Sequence, residues 1–161
     1  MHFKRKSNRL DLSIYEGRRA YFITCNTKDG RGLFHSKEIV DIHLKILKEA
    51  SLKNGFEVIV YCFMPDHLHI LTIGNNDQSN LITFIKNYKQ VSGFAYKKET
   101  GLNLWQKSYY DHILRKEESI EDIVRYILEN PKRKGIANNA RDYQFSGSLV
   151  YGVDIFDFLN M

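Results

Sequence analysis

The sequence predicts a single α+β domain spanning residues 1–161, and three observations support this fold class. The chain has 161 residues, of which 43% are apolar and 13% aromatic, and this is enough to bury the core of one compact domain. Runs rich in β-branched and aromatic residues at 21–25 and 56–74 predict buried strands. Apolar residues that repeat at intervals of three and four predict helices between and after these strands.

The beginning of the chain is basic and carries few apolar residues. Its cationic side chains are Lys4, Arg5, Lys6, Arg9, Arg18 and Arg19. We therefore expect residues 1–18 to form a flexible or lightly docked basic arm. The formal net charge of +5 is compatible with a polyanionic partner but does not establish one, because a mild basic excess is common among proteins.

Composition also sets expectations about the compartment. No charged-then-apolar leader and no run of about 18 apolar residues occurs in the sequence. We therefore expect a cytoplasmic protein with no membrane partner. Cys25 and Cys62 both lie in apolar runs, so we interpret them as small core residues and not as a disulfide pair.

The first helix is predicted to follow the strand at 21–25. The glycines at 30–32 indicate a turn, since neither glycine pattern of a phosphate-binding loop follows them. Ser36 is a candidate N-cap, and the apolar spacing continues from it to the Asn-Gly pair at 54–55. His43 is expected to border the core face of this helix.

Residues 56–74 contain two apolar runs separated by Met-Pro-Asp at 64–66, which predicts a hairpin-like pair of buried strands. Alternation along a strand places His67 and His69 on the same face. Their β-carbons are expected to lie about 6.5–7 Å apart, so both imidazoles can reach one cation. Burying two imidazoles costs free energy unless a partner compensates, and this favours a metal site over simple packing.

A second helix is predicted over residues 79–98, with Tyr88 in its core-facing row. The aromatic segment 101–114 follows it. Lysines bind phosphates and aromatic rings stack on bases, so four residues are candidate nucleic-acid contacts: Lys86, Lys89, Trp105 and Lys107. Nucleic-acid binding has two alternatives here: the lysines can simply form a solvated helix face, and the aromatic residues of the segment can cover the sheet edge. His112 could join either a metal site or a substrate site.

The last helix is predicted from Ser119, a candidate N-cap, to the Asn-Pro pair at 130–131. At about 100° per residue, Tyr126 and Asn130 project together from the flank of its apolar stripe. The phenol of Tyr126 is therefore a candidate nucleophile, and the amide oxygen of Asn130 is a candidate ligand for a hard cation. Three candidate phosphate contacts follow directly: Lys132, Arg133 and Lys134. Residues 150–161 are expected to form an edge element.

Together these residues suggest phosphoryl transfer on nucleic acid. In this hypothesis His67 and His69, with Asn130 or a substrate oxygen, hold a divalent metal that neutralises charge at the phosphate. Tyr126 then attacks phosphorus. Cellular abundance favours Mg²⁺ while imidazole ligands favour Mn²⁺, so the expected cofactor is Mg²⁺ or Mn²⁺.

Four segments, in this order, resemble the single-tyrosine HUH transposases and specifically the REP-associated tyrosine transposases. They are Met-Pro-Asp-His-Leu-His-Ile-Leu at 64–71, Leu-Trp-Gln-Lys-Ser-Tyr-Tyr-Asp-His at 104–112, Arg-Tyr-Ile-Leu-Glu-Asn-Pro-Lys-Arg-Lys-Gly at 125–135 and Asp-Tyr-Gln-Phe-Ser at 142–146. The resemblance implies an antiparallel sheet with helices packed on it, as in ferredoxin-like or RRM-like cores. Gly147 departs from the family pattern, in which adjacent serines are usual.

The same resemblance implies the chemistry. It places a metal at His67 and His69, puts Asn130 in the position of a third polar ligand, and makes Tyr126 the nucleophile. The implied product is a 5′-phosphotyrosine link with a free 3′-OH, formed on single-stranded or hairpin DNA.

Two alternatives remain open on the sequence alone. One is a non-catalytic module that binds single-stranded nucleic acid on an RRM-like sheet, although such a binder does not need both histidines and Tyr126. The other is a structural metal protein, which the lack of four clear ligands opposes. The protein is expected to be a monomer or a homodimer, so Tyr126 could serve its own site or that of a second copy.

Overall fold

The computed structural model describes residues 11–160 and contains a five-stranded antiparallel sheet with the strand order β4-β1-β3-β2-β5. The strands are β1 (Ala20–Asn26), β2 (Phe56–Met64), β3 (His67–Gly74), β4 (Tyr110–Ile113) and β5 (Ser146–Gly147), and the α-helices are α1 (Lys37–Asn54), α2 (Leu81–Thr100), α3 (Ile120–Leu128) and α4 (Asn130–Arg133). The element order β1-α1-β2-β3-α2-β4 is ferredoxin-like. The predicted fold class is therefore confirmed.

Neighbouring side chains of β1 point to opposite faces of the sheet. On one face the ring of Tyr21 lies 6.3 Å from Phe56, which stacks on Phe84 of α2 at 4.8 Å. On the other face the ring of Phe22 lies 5.9 Å from Tyr126 of α3. Helix α1 packs against α2 and β2. Thus α1 and α2 cover one face of the sheet, and α3 covers part of the other.

The helices begin and end at residues whose side chains or conformation suit those positions. The hydroxyl of Ser36 accepts the Ile39 N–H at the start of α1, and Gly55 ends that helix in the left-handed conformation. The hydroxyl of Ser119 accepts the Asp122 N–H at the start of α3. Both predicted N-caps are therefore confirmed, because each satisfies a backbone donor that has no partner inside its helix.

The predicted core residues are buried. Cys25 and Cys62 are free and fully buried, and the ring of Tyr88 lies in the core 5.8 Å from Trp105. Burial raises the pKa of the Cys25 thiol to about 12, so it stays protonated and unreactive. Within residues 11–160, no helix is both long enough and apolar enough to cross a bilayer.

The predicted basic arm divides into two parts. Residues 1–10 lie outside the described residues. In the second part, Leu12–Tyr15 form a 3-10 turn capped by Asp11, and Tyr15 is buried. The hydroxyl of Tyr21 donates to the Ile14 carbonyl. This turn is therefore docked, because the buried phenol of Tyr15 anchors it to the sheet.

The last predicted helix ends just before the Asn-Pro pair, but a second short helix follows it. Helix α3 ends at Leu128, and the chain continues into the short helix α4, which has Pro131 in its first turn. A proline does not break a helix there, because the N–H that it lacks would have no partner inside the helix.

The C-terminal segment does not form the expected edge element. Gly152–Asn160 form 3-10 turns that pack against α3, with Ile155 fully buried. A guanidinium N–H of Arg125 donates to the Leu159 carbonyl at 3.0 Å. The sheet edge is instead formed by β5, which pairs with β2.

The structure explains the glycine at position 147. It lies opposite Tyr61 in the β2–β5 pair, and a β-carbon built on it would lie 2.9 Å from the Tyr61 hydroxyl oxygen. A side chain at position 147 would therefore have to displace the Tyr61 hydroxyl.

The buried imidazole of His43 makes the stability of the fold depend on pH. Its imidazole is buried against Phe34, its Nδ1 has no hydrogen-bond partner within residues 11–160, and burial lowers its pKa to about 4. The folded-state pKa thus lies below the value of about 6.5 expected for the unfolded chain. The contribution of neutral His43 to the free energy of unfolding is therefore fully present above the unfolded-state pKa. Roughly 3 kcal/mol of this contribution is lost as the pH falls toward 4.

The variant His43→Leu is therefore expected to lose less stability than the parent protein between neutral pH and pH 4. Urea unfolding across this range measures the difference, and the variant His35→Gln, at an exposed histidine, is the matched control. Equal pH dependence in His43→Leu and the parent would contradict this interpretation.

Candidate active site

Two imidazoles of β3 converge on one point. His67 and His69 lie two residues apart on the strand, and their ring centroids are 4.5 Å apart at 75°. Their Nε2 atoms face each other at 3.1 Å. The alternation of the strand therefore places both rings on the same face, as predicted.

Each imidazole is oriented by a partner on its other nitrogen. The Nδ1 of His67 donates to the Asp66 carboxylate at 2.6 Å, so in the neutral ring the Nε2 carries the lone pair. The Nδ1 of His69 lies 2.9 Å from the hydroxyl of Thr24, its partner across the β1–β3 pair. Metal-binding histidines usually have such a partner, which sets the tautomer and the ring orientation.

The two rings differ in their exposure. His69 is 7% exposed, whereas the side chain of His67 is 16% exposed and reaches the surface. Burial, with smaller electrostatic contributions from the neighbouring His67, Arg133 and Lys134, lowers the pKa of His69 to about 3. His69 is therefore neutral near neutral pH, which is the form of imidazole that binds metals.

The distance between the two Nε2 atoms fits a shared cation. Two nitrogen ligands that bind one ion at right angles and at about 2.1 Å lie about 3.0 Å apart. Within residues 11–160, no group of three His, Cys, Asp or Glu side chains converges on a metal position. Among these residues, a third protein ligand would therefore be of another chemical type, such as an amide oxygen.

Asn130 offers such an oxygen. It is buried where α3 passes into α4, one helical turn after Tyr126, and its backbone carbonyl accepts the Lys134 N–H. The helix thus places it on the same side of the chain as the tyrosine. Its function as a third ligand stays a prediction.

Tyr126 lies beside the histidine pair within the same chain. Its ring centroid is 6.2 Å from that of His69, and its ring meets Phe22 edge-on at 5.9 Å. Ile123, Val124 and Ile127 turn to the core while Tyr126 is only partly buried. The predicted meeting of the β3 histidines and the helical phenol is therefore observed, although the chemical role of each group stays a prediction.

Arg133 covers the other side of the tyrosine. Its guanidinium carbon lies 4.3 Å from the centre of the Tyr126 ring, and one of its N–H groups donates to the Tyr126 carbonyl at 2.7 Å. Lys132 and Lys134 are exposed on the same short helix end. The tyrosine thus lies near both a histidine pair and exposed cationic side chains, which suits an anionic phosphate group.

The other predicted nucleic-acid contacts lie together but away from Tyr126. Lys86, Lys89, Trp105 and Lys107 line one groove between α2 and the segment that precedes β4. Lys89 does not present a free ammonium group there, because its Nζ donates to the carbonyls of Gln106, Lys107 and Ser108. Trp105 is mostly buried, and its indole N–H donates to Ser92.

His112 shares a sheet face with the histidine pair, since it lies opposite Phe22 in the β1–β4 pair. Its Nε2 lies 2.8 Å from the Glu118 carboxylate. Asp66 and Thr24 are not among the site residues predicted from the sequence. Asp66 could have been found from its position next to His67, whereas the contact of Thr24 depends on strand pairing across 45 residues.

The chain is similar to several known transposases. A family model described as Transposase IS200 like matches residues 18–130. A REP-associated tyrosine transposase of Escherichia coli is 24% identical over 132 residues, covering 78% of this chain and 74% of the relative. The ISDra2 transposase TnpA of Deinococcus radiodurans is 36% identical over 80 residues, covering 45% of this chain and 56% of the relative. The solved structure of a REP-associated tyrosine transposase bound to a REP hairpin has a TM-score of 0.71 at 20% identity, and the match covers 91% of this chain and 82% of that chain.

Proposed function

Since the chain belongs to the family of IS200-like transposases, we propose that it cuts and rejoins single-stranded DNA through a covalent tyrosyl intermediate. The observation that carries this proposal is the convergence of the two Nε2 atoms, 3.1 Å apart, beside the ring of Tyr126. A module that only binds nucleic acid has no need for this arrangement.

The proposed substrate is a DNA hairpin or its single-stranded flank. The structurally similar transposase is bound to a REP hairpin, and the exposed cations next to Tyr126 would attract the phosphate backbone of such a substrate. Single-stranded DNA also leaves a phosphate accessible to a side chain that projects only a short distance from the protein surface. We propose the same class of substrate for this chain.

The proposed cofactor is Mg²⁺ or Mn²⁺, held by His67 and His69 with Asn130 as a further ligand. When bound, the cation would polarise a phosphate oxygen and neutralise the charge that develops in the transition state. Asp66 and Thr24 would keep the two Nε2 lone pairs directed at the binding position, because each partner engages the Nδ1 atom of its histidine.

The proposed reaction is an exchange of ester bonds at phosphorus. The Tyr126 oxygen forms a bond to phosphorus as the bond from phosphorus to the 3′ oxygen breaks, and the phenol proton is lost as the 3′ oxygen gains one. The products are a 5′-phosphotyrosine and a free 3′-OH, and the reverse exchange rejoins the strand. Since the new ester replaces the old one, the covalent link conserves the energy needed for rejoining.

The experiment that tests this proposal is a search for the covalent link. The protein is incubated with an end-labelled DNA hairpin that carries a single-stranded flank, in the presence of Mn²⁺, and then separated on a denaturing gel. A labelled band that migrates with the protein and disappears on proteolysis is expected. Tight DNA binding without such a band would favour the non-catalytic binding module.

Arg133 is expected to position the phenol and the phosphate. Its guanidinium stacks on Tyr126 and holds the carbonyl of the same residue. The variant Arg133→Leu is expected to form the adduct about ten-fold more slowly, because it loses the cation–π contact and one charge near the phosphate. Single-turnover adduct formation at saturating DNA measures this effect.

The variant Arg133→Lys is the matched comparison. It keeps the charge but loses the planar group that stacks on the ring, so an intermediate rate is expected. Rates equal to that of the parent protein in both variants would show that Arg133 does not act on Tyr126.

A further inference from the structure

A second groove lies between α2 and the residues that lead into β4. Its volume is about 480 Å³, which falls within the usual range of about 300–1,000 Å³ for ligand pockets. Three features of its walls indicate what it binds: aromatic side chains, an uncovered helical glycine and a rim of lysines. None of these features is used by the histidine–tyrosine site.

Aromatic groups form the floor and one wall of the groove. Trp105 forms part of the floor, where its indole N–H is bonded to Ser92 at 2.8 Å. Phe94 lines the groove although its side chain is 71% exposed. Tyr109 lines the opposite wall. An exposed phenylalanine beside a buried indole is a surface on which a flat apolar group can stack.

Gly93 keeps this surface open. It lies in the middle of α2, where glycine costs helix stability relative to alanine. A β-carbon at this position would meet the Trp105 ring at 3.7 Å, an ordinary contact distance. Sterically, a side chain is therefore allowed at the base of the groove, but it would cover the indole edge.

Lys89 makes the opposite wall rigid. Its ammonium group donates to the carbonyls of Gln106, Lys107 and Ser108, at 2.7, 3.3 and 3.1 Å. It also lies 5.6 Å from the Tyr109 ring centroid. One side chain of α2 therefore holds the backbone of the facing segment in place, so the groove is formed before any ligand arrives.

The rim of the groove is cationic. Lys86, Lys97 and Lys107 line it and are exposed, and no residue assigned to its lining is acidic. Cations around an aromatic floor are complementary to a nucleotide, whose phosphates are anionic and whose base has a flat apolar face. A purely apolar ligand would not require these lysines.

The groove and the histidine pair lie on opposite sides of one sheet edge. Tyr109 lies in the groove beside Lys89, whereas the next residue, Tyr110, packs on Phe22 on the face that carries His69. Strand β4 is the edge strand that separates them. A single DNA strand could therefore pass around β4 and contact both places.

We propose that this groove binds an unpaired nucleotide of the DNA substrate, with its base on Phe94 and Trp105 and its phosphates at Lys97 and Lys107. This inference rests on the proposed function, because it takes single-stranded DNA as the substrate. The groove would hold the unpaired flank in register while a different phosphate of the same strand lies at Tyr126.

Fluorescence anisotropy with a labelled hairpin that carries a single-stranded flank tests the proposal. The variant Phe94→Ala is expected to weaken binding by about five-fold or more, since loss of one stacked base has at least this effect. The double variant Lys97→Gln with Lys107→Gln is expected to lower the salt dependence of log Kd by about 0.7 per lysine. Gly93→Leu is expected to fold normally and to weaken binding by filling the groove.

The same helix supplies matched controls. Val91 and Lys98 are exposed on α2, and neither is assigned to the groove lining. Val91→Ala and Lys98→Gln are expected to bind DNA with the affinity of the parent protein. A flank that carries 5-iodouracil is expected to crosslink under light to a peptide containing Phe94, Trp105 or Tyr109.

The outcomes separate this inference from the proposed function. If Phe94→Ala and Gly93→Leu bind like the parent protein, or if the crosslinks fall elsewhere while the tyrosyl adduct still forms, the groove proposal is overturned and the proposed function stands. If the crosslinks fall in the groove but no adduct forms, the groove proposal stands and the proposed cutting reaction fails.

Discussion

Replacing Tyr126 with phenylalanine is expected to abolish the covalent protein–DNA adduct while leaving the fold and the DNA affinity almost unchanged. The substitution removes one oxygen and keeps the ring that packs on Phe22 and His69 and lies under Arg133. Because the removed atom is the proposed nucleophile, the rate of adduct formation should fall by at least about a thousand-fold. A denaturing gel with labelled DNA and Mn²⁺ measures this rate.

The control for this prediction is a tyrosine away from the site. Tyr151 is exposed and packs on Phe158, so Tyr151→Phe should form the adduct at the parental rate. Circular dichroism and anisotropy of Tyr126→Phe should show an unchanged fold and unchanged DNA binding. An adduct that persists in Tyr126→Phe would mean that another residue attacks the phosphate.

The second large effect is expected at the histidine pair. His67→Gln should reduce adduct formation by at least about a hundred-fold, because one of the two convergent nitrogen atoms proposed to bind the metal is lost. His67 is the better position to test, since its side chain reaches the surface whereas His69 is buried and its replacement would also disturb packing. Single-turnover assays over a range of Mn²⁺ concentrations measure the loss.

Thermal or urea unfolding in the presence of Mn²⁺ gives a readout that does not depend on DNA cutting. A metal at a hundred times its Kd stabilises the protein that binds it by about 2.7 kcal/mol, and this gain should disappear in His67→Gln. Asp66→Asn should weaken metal binding by about ten- to a hundred-fold, because it removes the charge that orients His67. His35→Gln, at an exposed site, should behave like the parent protein.

A result in which His67→Gln forms the adduct at the parental rate and keeps its response to Mn²⁺ would exclude a metal site at the histidine pair. The 3.1 Å contact would then be a structural hydrogen bond between the rings. Loss of the Mn²⁺ response with a normal rate of cutting would instead separate metal binding from the reaction.

Much of the fold could be predicted from local patterns. The strands of the hairpin, the N-caps at Ser36 and Ser119 and the buried stripe of α3 each depend on residues within a few positions of one another. The short helix α4 was not predicted, because the proline that marks the end of one helix can also stand in the first turn of the next. Likewise, the C-terminal residues had an apolar pattern, but nothing in it indicated that they pack on α3.

The groove beside α2 shows the limit of such reasoning most directly. The sequence predicts Lys89, Lys86 and Lys107 alike as phosphate contacts, because all are cations in a basic helix and loop. The structure places all of them around one groove but engages the Lys89 ammonium with three backbone carbonyls. A charge in the sequence does not show whether its partner is solvent, a ligand or the chain itself.

The spacing of His67 and His69 was sufficient to place both side chains on one face of β3, and that of Tyr126 and Asn130 to place them about one helical turn apart across the α3–α4 junction, because strand and helix periods are local properties of the backbone. Their meeting was decided only by tertiary structure: the pairing of β1 with β3 brings Thr24 to His69, and the packing of α3 on the sheet brings Tyr126 to the same ring. Contacts between residues far apart in sequence depend on which elements pack together and in which register, and no local period determines that choice.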